Sequence, residues 1–211
     1  VRALSPEGVL SVNPDLILAE EGAGPPETMA VLQEAGIPIE LIPAVSNSEE
    51  LIAKIEAVAD ALGVPDTAGP TVEALQADLA KLSEATVDQD KKKVLFILSA
   101  QGGRLMVGGE GTAAGAIIEL AGGVNAATDF HGYKPMTDEA ILTAAPDVIL
   151  MMDRGGDHGA ANEVLFAQAA LGASPAAKTD AVVRMDGLLL LGFGPRTPDA
   201  AIQLHDALYG G

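Results

Sequence analysis

The chain has 211 residues, with 12 Lys and Arg against 30 Asp and Glu, and therefore carries a formal charge of −18. This acidity excludes a nucleic-acid-binding surface, which needs clustered cations, because the only such cluster is Lys91–Lys93. The absence of cysteine excludes disulfides, thiolate metal sites and cysteine nucleophiles, and no apolar run approaches the roughly 20 residues of a membrane span.

Helix and strand signals alternate along the chain, which predicts an α/β fold. In the first part, caps and apolar periodicity predict a helix over 5–13, a strand over 16–19, a helix over 27–35, a strand over 38–42 and a helix from 48 to 63. A turn-rich break at 65–70 and a second long helix over 71–85 are expected next.

The second part of the chain begins after a charged linker at 88–93. Its predicted elements are a buried strand over 94–98, a turn at 102–103, a return strand over 105–107, a glycine-rich loop over 108–111 and a helix over 112–121. A loop at 130–137 leads into a further helix and strand. The apolar run 188–191 is expected to be a strand that delivers Arg196 to the carboxyl end of the sheet.

One segment of the sequence occurs twice. Repeat A, Ser5–Leu18, reads SPEGVLSVNPDLIL, and repeat B, Thr137–Leu150, reads TDEAILTAAPDVIL, with six of 14 positions identical at an offset of 132 residues. Each copy predicts a capped helix, a Pro-Asp turn and a buried strand, followed by a glycine-containing loop. The duplication indicates two similar α/β lobes.

The two predicted lobes differ in what precedes their repeats. Lobe 2 comprises residues 91–211, including a C-terminal helix, and has about 45 residues before repeat B, whereas lobe 1, residues 1–64, has four before repeat A. Residues 65–90 are expected to form the connecting helix. Equivalence of the lobes predicts that about 40 residues of lobe 1 are absent from this chain, which would leave an unpaired sheet edge and an uncovered face. An intact mass of 21.4 kDa would contradict that expectation.

Three segments together point to a known family. They are SPEGVLSVNPDLILAEEGAGPPET at 5–28, GYKPMTDEAILTAAPDVILM at 132–151 and LLLLGFGPRTPDAA at 188–201. The combination resembles the periplasmic haem-binding proteins of haem ABC importers, in the helical-backbone class of substrate-binding proteins. The resemblance covers essentially the whole chain. The Pro-Asp-hydrophobic repeat is shared across that class, whereas GFGPRTP and GYKPMT are more specific to the haem branch.

The resemblance implies two Rossmann-like lobes joined by a long rigid helix, with haem held in the cleft between them. It also implies a monomeric periplasmic protein that delivers haem to an ABC permease in the inner membrane and performs no catalysis. No signal peptide is visible in the chain, so a periplasmic protein would be the processed form.

In that family a tyrosine near the start of lobe 1 ligates the iron, but Tyr133 and Tyr209 are the only tyrosines here and neither lies in that motif. The metal ligand is therefore unassigned. Arg196, in GFGPRTP, is expected to clamp a haem propionate, because a guanidinium binds a carboxylate bidentately. The structural alternative is that Arg196 begins the C-terminal helix and pairs with a neighbouring acid.

A second group of candidate ligand-binding residues lies in FHGYKPMT. His131 or Tyr133 could ligate the iron, and Lys134 could meet a propionate. Met136 could line the pocket. The structural alternatives are a half-buried anchor for Tyr133, a solvated Lys134 and a core position for Met136.

Binding proteins of this class dock to the permease through one surface acid on each lobe. Glu27, in GPPET, fits that position in lobe 1, and Glu163 is the nearest counterpart in lobe 2. Both also suit helix starts for electrostatic reasons alone. His158 is expected at the surface and His205 in a structural position, and the spacing of the three histidines argues against a zinc or manganese site.

Other functions stay open from the residues alone. A cobalamin or ferric-siderophore carrier of the same fold is the nearest alternative. A small α/β enzyme could use the loop GGEGT at 108–112 for a nucleotide, although this loop lacks both phosphate-binding glycine motifs and the chain has no G-x-S-x-G. A lobe that binds only a protein partner is a third possibility. Titration with haem distinguishes these functions by the visible spectrum.

Overall fold

The computed structural model describes residues 4–45, 47–86, 90–101, 104–153 and 161–210. The chain divides into two compact units, Val1–Val72 and Glu73–Gly211. The division falls inside a long helix, Ala68–Thr86, which lies within the stretch predicted as the connection. The three-part boundaries at 64 and 90 stay a prediction. In the described ranges no helix combines the length and the apolar character that crossing a membrane requires.

Unit 1 alternates helices with two parallel strands. Its elements are α1 (Pro6–Leu10), β1 (Ile17–Glu20), α2 (Pro26–Glu34), β2 (Ile39–Ile42), α3 (Ser48–Ala61), a 3-10 turn (Pro65–Thr67) and the start of α4 (Ala68–Thr86). The turn-rich break predicted at 65–70 is only partly correct, because α4 already begins at Ala68 and accommodates Pro70 in its first turn, where a missing N–H is harmless. The other predicted helices and strands of this part are confirmed within a few residues.

Unit 2 is built on a six-stranded mixed sheet. Its elements after α4 are β3 (Lys93–Gln101), β4 (Arg104–Gly108), α5 (Ala113–Leu120), β5 (Val124–Asn125), β6 (Tyr133–Met136), α6 (Asp138–Ala144), β7 (Val148–Asp153), α7 (Asn162–Phe166), α8 (Ala169–Gly172), α9 (Pro175–Lys178), β8 (Val182–Asp186), α10 (Gly187–Leu191) and α11 (Thr197–Tyr209). The strand order is β6-β4-β3-β7-β8, and the short β5 also pairs with β3. Strands β3, β7 and β8 are parallel, whereas β4 is antiparallel to both of its neighbours.

The core of unit 2 lies on both faces of this sheet. Alternate residues of β3 and β7, including Leu95 and Ile149, are fully buried in a cluster with α6, α7, α8 and α9. The intervening residues, such as Phe96, face the side on which α5, α10 and α11 pack. Two-sided burial explains why VLFIL reads as a continuous apolar run rather than an alternating one.

Two predictions for unit 2 are wrong. The apolar run 188–191 is not a strand but α10, and the strand before it is β8. The Asp186 side chain accepts a hydrogen bond from the Leu189 N–H at 2.8 Å and so caps a helix at this point. The segment predicted as a loop at 130–137 contains β6, which pairs with β4 and tolerates Pro135 because it is an edge strand of the described sheet. The turn predicted at 102–103 lies outside the described residues.

The internal repeat is confirmed by the backbone. Ser5 and Thr137 each cap their helix by accepting a hydrogen bond at 3.3 Å from the N–H three residues ahead. Asn13 and Ala145, also 132 residues apart, both adopt left-handed backbone angles, with φ of 48° and 46°. Repeat A and repeat B therefore share a cap, a turn conformation and a strand.

The repeat extends to strand pairing. Ile17 of β1 pairs with Ile39 of β2, and its counterpart Ile149 of β7 pairs with Val182 of β8. Both isoleucines donate their N–H to the residue before their partner, at 2.9 Å. The pair β1-β2 in unit 1 is thus the counterpart of β7-β8 in unit 2, and the α/β fold with an internal duplication is confirmed.

Candidate functional site

A pocket of about 200 Å³ follows the carboxyl end of β8. It is formed by α10 and the turn that leads into α11, and its lining residues are Leu188, Leu189, Gly192, Phe193, Gly194, Pro195, Arg196 and Thr197. In open α/β sheets, ligands bind outside the carboxyl ends of parallel strands. Arg196 thus lies beyond such a strand end, as the sequence predicts, although α10 rather than a strand leads to it.

The turn that carries Arg196 is held tightly. Thr197 is 2% exposed, and both its N–H and its hydroxyl donate to the carbonyl oxygen of Gly194, at 2.9 and 2.8 Å. Phe193 has a φ of 40°, which a bulky side chain rarely adopts, and its ring is 2% exposed. Burial of this ring and the hydrogen bonds of the turn offset the strain, which is a common feature of ligand-binding segments.

The surface of this pocket combines an apolar side chain with an unpaired cation. Leu188 is 73% exposed, the second largest fraction of any large hydrophobic residue in the described chain. Arg196 is exposed and forms no ion pair with any described residue. A flat apolar ligand that carries a carboxylate would meet both groups, because leucine offers a dispersion surface and the guanidinium offers a bidentate donor.

The second group of candidate residues lies in a loop that is joined to GGEGT. Gly109 donates its N–H to the carbonyl of Gly132, Glu110 donates to Phe130, and Gly132 donates back to Glu110, all at 2.9 Å. Thr112 caps α5. The N–H groups of Gly109 and Glu110 are therefore already bonded and are not available to hold a phosphate.

Within this joined loop, His131 and Tyr133 have different surroundings. The His131 imidazole is 82% exposed and lies 3.4 Å from the Glu110 carboxylate. The Tyr133 hydroxyl lies near the Thr112 side chain and the Ala114 backbone at the start of α5. Burial raises the pKa of the Tyr133 phenol despite these contacts, which act in the opposite direction. Tyr133 is therefore a neutral phenol at neutral pH in the absence of a metal.

Strand alternation separates the remaining candidates. Tyr133 is on the face of β6 toward Phe96, with ring centroids 6.4 Å apart. Lys134 is on the other face, where its ammonium lies 5.8 Å from the ring centroid of Phe130. Met136 packs against the core cluster and lines a pocket at α6 that Arg196 does not line. The structure therefore brings His131 and Tyr133 together at the start of β6 but does not place Met136 with Arg196.

The two predicted docking acids occupy matching positions. Glu27 is the second residue of α2 and Glu163 the second residue of α7, and each helix is the one that follows a repeat strand. Both are exposed, and neither forms an ion pair with a described residue. Of the other histidines, His158 lies outside the described residues, and His205 hydrogen-bonds the Ala121 carbonyl at 3.1 Å in a structural position.

Within the described ranges, no three or more His, Cys, Asp or Glu side chains cluster as a metal site would require. Sequence reasoning missed the exposure of Leu188 and the strained Phe193. The Asp-Gly pair before the leucine run was the available signal, because Asp186 is a favourable helix N-cap and a helix would turn one of those leucines outward.

In open α/β sheets, a site beyond the carboxyl end of a parallel strand is the usual place for a small ligand. The profile of the family described as "Periplasmic binding protein" matches residues 1–188, and the chain belongs to that family. The resemblance to periplasmic haem-binding proteins is also confirmed by solved structures. BhuT in complex with two haems is 40% identical, with a TM-score of 0.89, over 98% of this chain and 79% of that one. RhuT from Roseiflexus sp. RS-1 in its apo form is 34% identical, with a TM-score of 0.90, over 99% and 80%.

Curated relatives are more varied in name. An uncharacterized ABC transporter substrate-binding lipoprotein, YvrC of Bacillus subtilis, is 28% identical over 96% of this chain, which spans 64% of its length. A cobalamin-binding protein of Halobacterium salinarum is 28% identical over 68% of this chain and 39% of its own length. The curated relatives thus share the binding-protein class, but only the Halobacterium protein's name specifies a ligand, which is cobalamin.

Proposed function

We propose that this protein captures haem outside the cytoplasm and delivers it to an ABC import permease without catalysing a reaction. The observation that carries the proposal is the pairing of exposed Leu188 with unpaired Arg196 beyond the carboxyl end of β8. Haem is a flat apolar macrocycle with two carboxylates, so it needs both kinds of contact. The haem-binding names of the relatives with 27–40% identity support the same ligand.

The charge of the chain gives Arg196 a specific role. A protein with a formal charge of −18 repels a dianionic ligand at long range, so a local cation is needed to hold a propionate. Arg196 has no competing carboxylate among the described residues. Binding would therefore use an existing free donor rather than break an ion pair. Lys134 is the candidate for a second cationic contact, at the cost of its position over Phe130.

The iron ligand is proposed more narrowly. His131 is exposed and its partner Glu110 could stay bonded to one ring nitrogen while the other ligates iron. Tyr133 would have to lose its proton, which burial disfavours. We therefore favour His131 over Tyr133 among the residues of this chain. Met136 is assigned to the core.

Haem titration of the purified protein tests the proposal. We expect a shifted Soret band in the wild type and, for Arg196→Gln, a dissociation constant raised by about 5- to 150-fold, equivalent to ~1–3 kcal/mol for a charge-assisted contact. Lys178→Gln is the matched control, because it removes an exposed cation at the end of α9, away from the pocket lining. No Soret change in the wild type, or equal effects of the two variants, would contradict the proposal.

Cobalamin is the alternative that a specific observation favours, namely the name of the Halobacterium relative. A corrin ring carries amides at its periphery instead of propionates, so Arg196 would find no ring carboxylate to bind. Competition between haem and cobalamin for the same sample distinguishes them. If cobalamin bound more tightly and Arg196→Gln left its affinity unchanged, the cobalamin function would replace the haem function. A ferric siderophore does not give the spectrum of haem or of cobalamin. Its binding is tested by adding it as a competitor in the same experiment.

Permease docking is proposed through Glu27 and Glu163. Their support is that both carboxylates are exposed, lack ion pairs with described residues and begin the helix after a repeat strand. Permease arginines are the partners that the resemblance implies. The double variant Glu27→Arg/Glu163→Arg should lose transport in reconstituted membranes while it keeps haem affinity. Normal transport by that variant would refute the docking role.

A further inference from the structure

A second arginine of unit 2, Arg104, lies at the same end of the sheet as Arg196. Arg104 begins β4 and pairs with Gln101, the last residue of β3. Strand β3 pairs with β7 only as far as Ile97 and then continues to Gln101, whereas β7 ends at Asp153. The pair β3-β4 therefore extends past the carboxyl end of β7, and Arg104 lies on this extension.

Helix α11 carries Arg196 toward that carboxyl end as well. At the other end of the helix, the Tyr209 hydroxyl accepts the Lys92 N–H at 3.1 Å and donates to the Gly122 carbonyl at 2.9 Å. Lys92 directly precedes β3, so α11 ends beside the amino end of the sheet. The 13 residues of α11 span about 20 Å, and Arg196 precedes the first of them.

Strand alternation puts Arg104 on the face of the sheet where the turn with Arg196 lies. Leu105 and Val107 are buried in the core cluster that includes α6, α7, α8 and α9. Arg104 and Met106 therefore face the other side, on which α5, α10 and α11 pack. Arg104 is exposed on this face, and Met106 is partly buried.

The Arg104 guanidinium is available to a ligand, because it forms no ion pair with any described residue. Lys134 has a different position. It is on the face of β6 away from Tyr133, and its ammonium lies 5.8 Å from the ring centroid of Phe130. Of these two cations, Arg104 is the one that shares both a face and a sheet end with Arg196.

The two arginines are too far apart to share one carboxylate. In the sheet, β3 and β7 separate β4, which Arg104 begins, from β8, which leads through α10 to Arg196. Three strand spacings of about 4.8 Å put β4 and β8 roughly 14 Å apart. A rigid ligand that carries two carboxylates could therefore meet one guanidinium with each of them.

We infer that Arg104 binds one propionate of haem while Arg196 binds the other, so that Arg104 favours a macrocycle with two carboxylates. The inference rests on the proposed haem function. A chain with a formal charge of −18 repels a second carboxylate that has no cation of its own. Arg104 offsets this repulsion without breaking an ion pair with a described residue.

Titration of purified variants with haem, followed by the Soret band, tests the inference. Arg104→Gln should raise the dissociation constant by about 5- to 50-fold, as for the loss of a charge-assisted contact. Arg104→Lys should raise it less, because an ammonium keeps the charge but not the bidentate geometry. The matched control is Lys178→Gln, which removes an exposed cation at the end of α9 and should leave the constant unchanged.

Haem dimethyl ester, in which both propionates are esterified, shows whether the contact is with a carboxylate. Measured in the same detergent as haem, its affinity for Arg104→Gln should stay within about twofold of its affinity for the wild type. The double variant Arg104→Gln/Arg196→Gln should weaken haem binding by about the product of the two single effects, because each arginine binds its own carboxylate.

The inference is wrong if the wild type shows the shifted Soret band but Arg104→Gln binds haem as tightly as Lys178→Gln. It is also wrong if Arg104→Gln weakens binding of the ester as much as binding of haem, or if the double variant binds no more weakly than Arg196→Gln alone. Weaker binding by Lys134→Gln and not by Arg104→Gln would assign the second propionate to Lys134.

A wild-type protein without a Soret shift would refute the haem function itself, so the two failures are distinguishable. Far-UV circular dichroism establishes that each variant is folded. If Arg104→Gln were not folded, Arg104→Lys would decide, because equal affinities of Arg104→Lys and the wild type for haem would contradict a bidentate contact.

Discussion

Replacing Gly109 by alanine tests the contact that joins the two candidate loops of unit 2. A Cβ atom on Gly109 would lie 2.3 Å from the carbonyl oxygen of Phe130 and 2.7 Å from two of its ring carbons. The nearest atom is backbone, so the loop itself must move by about 1 Å to restore ordinary contact. That carbonyl also accepts the Glu110 N–H at 2.9 Å, and the movement weakens this bond.

The expected loss is about 2–4 kcal/mol, from ~1–3 for an overpacked contact and ~1 for the weakened hydrogen bond. Two other glycines separate the causes. Gly132→Ala meets no atom within 4 Å but has a φ of 77°, so it should cost only about 1 kcal/mol of backbone strain. Gly194→Ala has neither contact nor unusual φ and should change stability by less than about 0.5 kcal/mol.

Because the chain has two units, the stability of unit 2 should be followed locally. Native-state hydrogen exchange of the buried amides in Val94–Ile97 reports the free energy of opening of the central strand. The predicted order of destabilisation is Gly109→Ala, then Gly132→Ala, then Gly194→Ala. If Gly109→Ala cost no more than Gly132→Ala, the contact with Phe130 could not be the restraint that holds the two loops together.

Three further predictions follow from single contacts. Burial raises the pKa of Tyr133, so ultraviolet titration of a Tyr209→Phe variant, which leaves one tyrosine, should give an ionisation midpoint above about 10; an ordinary midpoint would contradict it. Since the unfolded chain ionises first, stability should fall as pH rises from about 10 through the raised pKa, and Tyr133→Phe should reduce that fall in urea titrations. The Asp147 carboxylate accepts the Lys93 N–H at 2.9 Å, so Asp147→Ala should cost about 1 kcal/mol, and unchanged stability would refute the contribution of this hydrogen bond.

The repeat was predictable because its determinants are local. Ser5 and Thr137 are favourable N-caps wherever they precede a helix, and their hydrogen bonds span only three residues. The Pro-Asp turn likewise follows from residues adjacent in sequence. The left-handed backbone at Asn13 was compatible with its type, whereas Ala145 shows that the fold imposes this conformation even on an unfavourable residue. The left-handed backbone at Ala145 is therefore predicted by its equivalence to Asn13 in repeat A and not by the conformational preference of alanine.

The errors occurred where the deciding contact is remote or ambiguous. Four leucines at 188–191 fit a buried strand or a short helix equally well, and only the Asp186 cap decides between them. For β6, propensity favoured a loop because Pro135 is poor in sheets, yet pairing with β4 prevails at an edge. Neither outcome follows from residue type alone.

The candidate site could be predicted from the sequence less completely than the fold. Arg196 could be selected from its motif, but the exposure of Leu188 beside it depends on how α10 packs against α5. The joining of GGEGT to the loop with His131 rests on backbone hydrogen bonds between Gly109 or Glu110 and residues about 20 positions later. Backbone bonds carry no residue signature, so a sequence gives no indication of them.

The duplication also explains which site residues occur in pairs. Glu27 and Glu163 have equivalent places because each is the second residue of the described helix that follows a repeat strand, and a duplicated backbone reproduces such places. Arg196 belongs to a turn after β8, and the segment after the equivalent strand β2 leads directly into α3 without a corresponding helix. The candidate ligand-binding residues, Arg196 and those of FHGYKPMT, therefore lie in segments that unit 1 does not repeat. A contact made by the duplicated backbone is expected in both units. A contact made by a segment that only one unit has, such as α10, is expected in that unit alone.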